Sequence, residues 1–272
     1  MITFRKLGKL GRFGNQLFQY AGTRLYAELN GFSHALPNWI GTTLFSGVKS
    51  YTFTEFLKSK LLPTRQLSDM RSYNRLQKML YLLGASRKLP NTISMEYLYE
   101  HPEDNINLYG YLQDVKSISL LLKHRSRIQR WLEFRPEIQK VLKATTDHLK
   151  PWTGVHIRRG DLVKRSLSVP ITSFKDTLDS IRSPNSIFIA SDDPNIHTEF
   201  KEYKLIKPEV RAAIPPEIFD FWMLSQAETI IGPGSTFSWW AAYLGNPKAY
   251  YAPPLTHLWK PNTIPAIERQ AI

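Results

Sequence analysis

The 272 residues are 42% hydrophobic and 22% charged, which is typical of a globular protein with a buried core and excludes a disordered chain, a collagen-like fibre or a coiled coil. Cysteine is absent, so disulfides, thiolate zinc sites and a cysteine nucleophile are excluded, and no apolar run reaches the roughly 18 residues of a membrane span. The net charge of +13 comes from two segments, 58–90 and 116–150, and suits nucleic acid, an anionic membrane, a phosphorylated substrate or a solvated basic surface.

The first half of the chain predicts a short strand and several helices. Hydrophobic periodicity predicts the strand at 2–7 and a helix over about 15–30 that ends before a glycine. Residues 69–83 carry apolar side chains at helical spacing and basic ones on another side, a pattern that suits a membrane surface or the protein's own core. Residues 117–149 predict one or two further basic helices, interrupted near Pro136.

After residue 150, short apolar runs alternate with helical stretches. The runs lie at 154–157, 186–190, 229–231 and 249–252, and the helical patterns at 171–182, 216–227 and 235–244, the last ended by Gly245. Buried strands that alternate with helices predict a parallel sheet covered on both faces. Ligands of such sheets bind at the carboxyl ends of the strands. We therefore expect two domains, residues 1–150 and residues 151–272.

Two adjacent arginines follow the first of these runs, in the sequence from His156 to Asp161. A guanidinium group matches phosphate oxygens in a bidentate geometry, and neighbouring strand residues point to opposite faces. We therefore expect one of Arg158 and Arg159 to reach an anionic ligand while Asp161 holds the other. The alternative is a purely structural arginine–aspartate pair at a strand end.

A glycine turn and a helix start follow a later run, from Gly232 to Trp240. Ser235 is placed to cap a helix that begins at Thr236, and the free N–H groups of a helix start form an anion site. Every helix has such a start, so this motif alone does not indicate a ligand site. It points to one because it follows a strand end at the same edge of the sheet as the two arginines. The serine and the two tryptophans that follow, residues 238–240, are typical of a site wall and a core.

A loop with three glycines, residues 8–16, precedes the first predicted helix. Its spacing differs from the G-x-G-x-x-G dinucleotide fingerprint. The glycines nevertheless allow the backbone to approach a ligand, and Arg12, Asn15 and Gln16 supply hydrogen-bond donors. A simple flexible turn is the alternative.

Ser191, Asp192 and Asp193 end the second apolar run. A carboxylate at a strand end accepts hydrogen bonds from a ribose hydroxyl or a guanine edge, although two aspartates before a proline also form an ordinary turn. A divalent metal needs a third oxygen ligand, which the nearby sequence does not offer. The seven histidines show no H-E-x-x-H spacing, so we expect no metal site.

Together and in this order, the motifs resemble the bacterial α-1,2-fucosyltransferases of glycosyltransferase family 11. The family's segments G-R-x-G-N-Q-x-F-Q-Y-A, G-Y-x-Q, H-x-R-R-x-D, S-D-D and G-x-S-T-F-S-W-W-x-A are matched by Gly11 to Ala21, Gly110 to Gln113, His156 to Asp161, Ser191 to Asp193 and Gly232 to Ala241. These matches span nearly the whole chain. Leu162 departs from the pattern, because the family commonly has an aromatic residue after the aspartate.

The resemblance implies a GT-B-like α/β fold, with two Rossmann-like lobes that contain parallel sheets and a cleft between them. The first lobe would bind the acceptor and the second the GDP-sugar. The implied reaction is an inverting transfer of L-fucose from GDP-β-L-fucose to the 2-hydroxyl of a terminal galactose, or a similar sugar, of a glycan. It would need no metal and no cofactor besides the donor substrate.

The resemblance also implies roles for individual residues. Arg158 and Arg159 would stabilise the leaving diphosphate, and Asp161 is the nearest carboxylate to serve as a base, unless it is fully used in orienting an arginine. His156 and Asp192 would hold the nucleoside. The full set of implied donor-binding residues is Gly11, Arg12, Gly14, Asn15, Gln16, His156, Ser191, Asp192, Gly234, Ser235, Thr236, Phe237 and Ser238.

The implied partners are a GDP-sugar and a glycan acceptor. The N-terminal residues lack the pattern of a signal peptide, so we expect a cytoplasmic protein, and a lipid-linked acceptor would fit one whose basic helices, 69–83 and 117–149, contact an anionic membrane. One alternative is a transferase with another nucleotide-sugar donor. The other is a basic protein that binds nucleic acid or anionic carbohydrate, but residues 58–90 contain no recognised nucleic-acid motif, and we expect no nucleic-acid partner.

Overall fold

The computed structural model describes residues 1–61, 65–68, 95–160, 168–181, 186–209 and 214–253. The predicted helix at 69–83 and the predicted catalytic residue Asp161 lie outside this part of the chain. The chain divides into two compact units, Met1–Phe134 and Arg135–Ile272. Our sequence prediction divides it after residue 150 instead.

The first unit contains a parallel sheet and the helices that precede and follow its strands. Its described strands are β1 (Ile2–Thr3), β2 (His34–Ala35), β3 (Arg65–Ser68) and β4 (Ile106–Tyr109), in the order β2-β1-β4-β3. Its described helices are α1 (Phe13–Leu29), α2 (Ile40–Leu44), α3 (Phe53–Leu61), α4 (Met95–Glu100), α5 (Val115–Lys123) and α6 (Arg125–Trp131). Every described strand pair of this unit is parallel, as the family resemblance implies.

Helix α1 confirms the helix predicted at 15–30, and β1 is shorter than the strand predicted at 2–7. The strand ends early because the chain turns, with the N–H of Leu7 donating to the carbonyl of Phe4 at 3.0 Å. Helix α1 ends where Gly31 adopts a φ of +68°. This left-handed conformation favours glycine and stops a helix.

The second unit repeats this architecture. Its strands are β5 (Trp152–Ile157), β6 (Ser186–Ser191), β7 (Thr229–Ile231) and β8 (Ala249–Tyr251), all parallel and in the order β6-β5-β7-β8. Its described α-helices are α7 (Pro136–Thr146), α8 (Ile171–Ser180), α9 (Pro216–Ser225) and α10 (Thr236–Gly245), and the short segments Asp147–Leu149 and Ile196–Phe200 are 3₁₀ helices. The α/β class with two parallel sheets is thus confirmed.

Strand β5 is the centre of the second unit, and all six of its residues are buried. Helix α9 packs so closely on it that a Cβ atom at Gly154 would lie 3.0 Å from side-chain atoms of Ala227 and Leu224. Helix α7 is joined to α9 by the Trp222 indole N–H, which donates to the Thr146 hydroxyl at 3.1 Å. These contacts place α7 in the second unit, ahead of the boundary that the sequence predicts.

Two helix boundaries differ from the sequence predictions. Residues 117–149 form parts of three α-helices, α5, α6 and α7, where we expect one or two, and Pro136 begins α7 at a position that needs no N–H. Helix α10 is ended by Asn246 in the left-handed conformation rather than by Gly245. Gly245 has another role, because a Cβ atom there would lie 1.8 Å from the Ser225 carbonyl oxygen at the end of α9.

Candidate active site

Three polar segments meet at the carboxyl edge of the second sheet. The strand register pairs Ile157 with Ser191 and Val155 with Ile231, so β5, β6 and β7 end side by side. The residues at and after these strand ends, which we call the strand-end site, are 156–160, 191–193 and 232–238. Their convergence is what the sequence predicts for the carboxyl ends of neighbouring parallel strands.

Two aspartates after β6 fix the loop after β5. Asp192 Oδ1 accepts hydrogen bonds from the backbone N–H groups of Arg159, at 2.8 Å, and Gly160, at 3.0 Å. Asp193 Oδ2 lies 3.0 Å from Nε of Arg159 and forms an ion pair with it. A Cβ atom at Gly160 would lie 2.6 Å from Asp192 Oδ2, so this close approach requires glycine.

Asp193 is therefore a carboxylate that holds an arginine. The pairing that the sequence predicts, with Asp161, lies outside the described residues and stays a prediction. The guanidinium of Arg159 is partly buried in the ion pair with Asp193, and its neighbour Arg158 is also half-buried. Ser191 contributes to the same turn, because its Oγ accepts a hydrogen bond from the N–H of Asp193 at 3.1 Å. The turn at residues 191–193 thus holds the loop after β5 through contacts with the backbone of that loop and with the Arg159 side chain.

The start of α10 is fixed by a buried network of hydroxyl groups. Ser235 Oγ accepts from the backbone N–H of Ser238 at 3.3 Å, which confirms the predicted cap, and it lies 3.1 Å from Nδ1 of His156. Ser238 Oγ lies 3.0 Å from the Tyr250 hydroxyl. Burial raises the pKa of Tyr250 to about 12, so this hydroxyl keeps its proton at neutral pH. The network joins the end of β5, the start of α10 and β8.

Within this network, Ser238 has no exposed surface. Its hydroxyl lies within hydrogen-bond distance of the hydroxyls of Ser235 and Tyr250. Ser238 therefore positions the start of α10. A Cβ atom at Gly232 would lie 2.7 Å from Ser238 Oγ, which explains the glycine that follows β7. Trp239 and Trp240 are buried, as we expect for a wall and a core.

The turn before the helix start is open on the side of Gly234. Gly234 adopts a φ of +64°, and no atom lies within 4 Å of where its Cβ would be. The first N–H groups of α10, at Thr236 and Phe237, belong to the helix end that has no intrahelical acceptors. The Phe237 ring packs 5.1 Å from the ring of His156. This edge thus presents N–H groups, an aromatic ring and two arginines. Such a surface suits a ligand that is anionic and contains a ring.

Asp220 is a candidate that the sequence analysis missed. This half-buried carboxyl lies on α9, directly before Phe221, whose ring is 5.4 Å from that of Phe237. Burial, aided by the charge of Glu217, raises the pKa of Asp220 to about 7. Carboxyls with such a pKa are common at functional sites. No local sequence pattern signals this one, because its pKa depends on packing.

The glycine-rich loop at 8–16 lies in the first unit. Gly11 has a φ of +75°, and a Cβ atom there would lie 2.6 Å from Nδ2 of Asn15. Asn15 Oδ1 accepts from Nε2 of Gln113 at 2.9 Å, and Nε2 of Gln16 donates to the Gly11 carbonyl at 3.1 Å. The bond between Asn15 and Gln113 joins the motif from Gly11 to Ala21 to the motif from Gly110 to Gln113. The contact of this loop, including Arg12 and Gly14, with the donor stays a prediction.

Within the described residues, no group of three or more histidine, aspartate or glutamate side chains is arranged to hold a metal ion.

Comparisons with known proteins extend over nearly the whole chain. A sequence model of glycosyl transferase family 11 matches residues 5–258. A protein of Escherichia coli described as an alpha-1,2-colitosyltransferase is 24% identical over 263 residues, which cover 87% of this chain and 86% of that protein.

Solved structures of fucosyltransferases share the fold. The fucosyltransferase NodZ from Bradyrhizobium matches with a TM-score of 0.58 and 14% identity, over 94% of this chain and 97% of that one. POFUT1 in complex with GDP-fucose matches with a TM-score of 0.55 and 17% identity, over 94% of this chain and 98% of that one. These likenesses confirm the predicted GT-B-like fold class.

Proposed function

This chain belongs to glycosyl transferase family 11, and we propose that it is an inverting fucosyltransferase that uses GDP-β-L-fucose. The proposed product is an α-1,2 linkage to a terminal galactose, or a similar sugar, of a glycan acceptor. The observation that carries this proposal is the strand-end site, where paired arginines and the capped start of α10 share one edge. The GDP-fucose complex of POFUT1, a protein of the same fold, supports the choice of donor.

The proposed chemistry follows from the charge that develops in the reaction. As the bond between the sugar and the diphosphate breaks, the sugar becomes oxocarbenium-like and negative charge builds up on GDP. Arg158 donates to the diphosphate, while Arg159, paired with Asp193, and the N–H groups at the start of α10 add positive potential. These groups are held in place before the reaction, so little reorganisation is needed when the charge appears.

The remaining residues of the strand-end site hold the nucleoside and shape its surroundings. His156 and Phe237 present adjacent rings, and we assign them to the nucleoside. Asp192 acts through the loop after β5, since one of its oxygens already accepts two backbone N–H groups there. Asp161 is the proposed base that takes the proton of the acceptor hydroxyl, on the basis of its place in the motif.

The identity of the donor sugar is the point where a second candidate has specific support. The E. coli relative is described as transferring colitose, a sugar that differs from fucose by the absence of the 3-hydroxyl. The second candidate is therefore colitosyl transfer from GDP-colitose. The same strand-end site would serve both donors, because it faces the nucleotide and not the sugar.

A donor panel tests the proposal. The full-length protein is incubated with GDP-fucose, GDP-colitose, GDP-mannose and UDP-galactose, with and without EDTA, and nucleoside diphosphate release is measured. We expect release from GDP-fucose that EDTA does not reduce. Release only from GDP-colitose would establish the second candidate, while release only from UDP-galactose, or a strict need for manganese, would overturn the proposal.

The linkage and the location need separate tests. Methylation analysis of the product of a galactoside acceptor distinguishes a 1,2 linkage from any other.

Among the described residues, no helix combines the length and apolar character needed to cross a membrane. We propose a cytoplasmic enzyme whose basic segments touch an anionic membrane. Sedimentation with anionic vesicles at low salt checks this contact, and absence of binding would remove it.

A further inference from the structure

Two loops meet at the carboxyl edge of the first sheet. Strands β1 and β4 are parallel neighbours, with Thr3 opposite Asn107. The glycine-rich loop at 8–16 follows β1 and includes the first turn of α1, and residues 110–113, which we call the β4 turn, directly follow β4. Segments at such an edge are placed to meet a ligand, so the contacts that fix these two loops bear on the reaction.

Both loops are held by one buried side chain, Gln19 of α1. Its Nε2 group donates to the carbonyl of Leu10 in the glycine-rich loop and to the carbonyl of Gly110 in the β4 turn, both at 3.1 Å. Because both acceptors are carbonyl oxygens, the amide can only lie with its nitrogen toward them. The two bonds therefore tie the loops to each other as well as to α1.

The β4 turn has a backbone conformation that needs support. Leu112 has a φ of +51°, a left-handed conformation that is uncommon for residues other than glycine. Its side chain is buried against α1, where a Cβ atom at Gly22 would lie only 3.2 Å from Leu112 Cδ1. Such conformations persist where the surrounding structure imposes them, and they are concentrated at functional sites. Here the surrounding structure is the face of α1 that carries Gln19 and Gly22.

Gln19 also sets the direction of N–H groups in the glycine-rich loop. The carbonyl of Leu10 accepts from Gln19, and the next carbonyl, that of Gly11, accepts from Nε2 of Gln16 at 3.1 Å. These peptide bonds are trans, and in a trans peptide the N–H points opposite to the carbonyl. The N–H groups of Gly11 and Arg12, two exposed residues, therefore point away from the two glutamines. Loop N–H groups with this orientation suit the oxygens of an anionic ligand.

We propose that Gln19 is a positioning residue of the transfer reaction. It holds the glycine-rich loop and the β4 turn in one arrangement, so that the loop N–H groups and Asn15 are in place before the donor binds. The proposal rests on the fucosyl transfer proposed above and adds to it a residue that does not touch the substrate. Because Gln19 has no exposed surface, its effect passes through the loop.

Hydrogen–deuterium exchange of the full-length protein tests the connection between the loops without any need for activity. Gln19→Met keeps the length of the side chain but removes both N–H donors. We expect amide exchange at 8–16 and at 110–113 to accelerate together, by about tenfold, while α6 in the same unit keeps its wild-type rate. Unchanged exchange in either loop, or an equal increase in α6, would overturn the proposal.

Thr23→Val is the matched control. Thr23 lies one turn further along the same face of α1, it has no exposed surface, and its hydroxyl has no hydrogen-bond partner among the described residues. Valine has nearly the same shape, so exchange in both loops should stay at the wild-type rate, and acceleration equal to that in Gln19→Met would contradict the proposal. If Gln19→Met does not fold, Gln19→Asn carries the same test, because its amide is one methylene too short to reach both carbonyls.

Donor kinetics separate a positioning role from a loss of folded protein. We expect Gln19→Met to raise the KM for GDP-fucose about tenfold, whereas partial unfolding would lower the apparent kcat and leave the KM unchanged. In an Asn15→Ala background the same substitution should raise the KM further by less than about twofold, because its effect passes through the loop that carries Asn15. An unchanged KM in Gln19→Met, or full additivity with Asn15→Ala, would overturn the positioning role.

The two proposals fail in different ways. If the wild type does not turn over GDP-fucose while Gln19→Met still accelerates exchange in both loops, the transferase proposal falls and the connection through Gln19 stands. If the wild type turns over GDP-fucose and Gln19→Met changes neither the exchange nor the KM, the positioning role falls alone.

Discussion

The strand-end site takes its side chains from three short segments, each directly after a strand, whereas a cavity of about 260 Å³ in the first unit, here named the α1 cavity, takes its side chains from one face of α1, from β2 and from residues 49–55 before and at the start of α3. The first carries two arginines and the backbone N–H groups of a helix start, and in the second Glu28 forms ion pairs with Arg24 and Arg127. Parallel strands end at a common edge, so polar residues after them converge whatever their separation in sequence. No such rule identifies the residues that pack against a helix face. The sequence therefore predicts the strand-end site but not the α1 cavity.

The largest expected effect tests the strand-end site. Replacing Arg158 with lysine keeps the charge but removes the planar fork that matches phosphate oxygens. Replacing Arg159 with lysine removes the Nε group that pairs with Asp193 and holds the loop after β5 in place. We expect kcat for GDP-fucose turnover to fall on the order of a hundredfold, or about 3 kcal/mol of barrier. Arg130→Lys, at an exposed position of α6, is the matched control and should leave the rate unchanged. Near-normal turnover in both strand-end variants would show that the arginine pair is structural.

The same contrast explains what the sequence predicted well in the fold. The strands of the second unit lie within two residues of their predicted positions, because buried parallel strands are short apolar runs bounded by polar residues. The cap at Ser235 was predicted because capping is a local interaction between neighbouring residues. The convergence of the three segments followed from the sheet class alone.

What sequence did not predict depends on contacts between distant residues. The carboxylate paired with Arg159 is Asp193, which is close only because β5 and β6 are neighbours, and the sequence offers no sign of this pairing. The α1 cavity joins Tyr20, which lies in the motif from Gly11 to Ala21, to Glu55 across separate elements, and no motif marks Glu55. Gln113 was noticed as part of a resemblance, but its bond to Asn15 required the coordinates.

The pH dependence of stability tests the raised pKa of Asp220, which depends on packing and not on a local sequence pattern. The expected effect is smaller than that of the arginine variants. Its pKa is about 7 in the folded chain and about 3.9 when unfolded, so between these values the folded chain keeps a proton that the unfolded chain releases. The free energy of unfolding therefore falls as the pH rises from about 4 to about 7 and then levels off. Asp220→Asn removes this loss.

Urea unfolding of wild type and Asp220→Asn between pH 4.5 and 8 measures the effect. We expect the variant's relative stability to increase with pH and to reach about 2 kcal/mol above pH 7, less than the full shift would give because the carboxyl is partly exposed. Glu217→Gln, which removes the neighbouring charge, should act in the same direction but more weakly. A stability difference that does not vary with pH would contradict the raised pKa.

The smallest expected effect compares helix caps in the two units. Ser235 caps α10 at the strand-end site, and Asp114 caps α5 in the first unit by accepting from the N–H of Ser117 at 2.9 Å. Replacing either cap with alanine removes an acceptor for an otherwise unpaired N–H and should lower stability by about 1 kcal/mol. Only Ser235→Ala also releases His156 and the start of α10, so we expect it alone to raise the Kd of GDP, by about fivefold.

Thermal unfolding and calorimetric titration with GDP on both alanine variants separate these outcomes. Equal losses of stability with unequal changes in Kd would show that the cap of α10 serves the ligand as well as the helix. If Asp114→Ala weakened GDP binding as much as Ser235→Ala does, the effect would be a general result of lower stability. The helix start at residues 235–238 would then lose its place in the proposed diphosphate site, and the arginine pair would have to supply the positive potential alone.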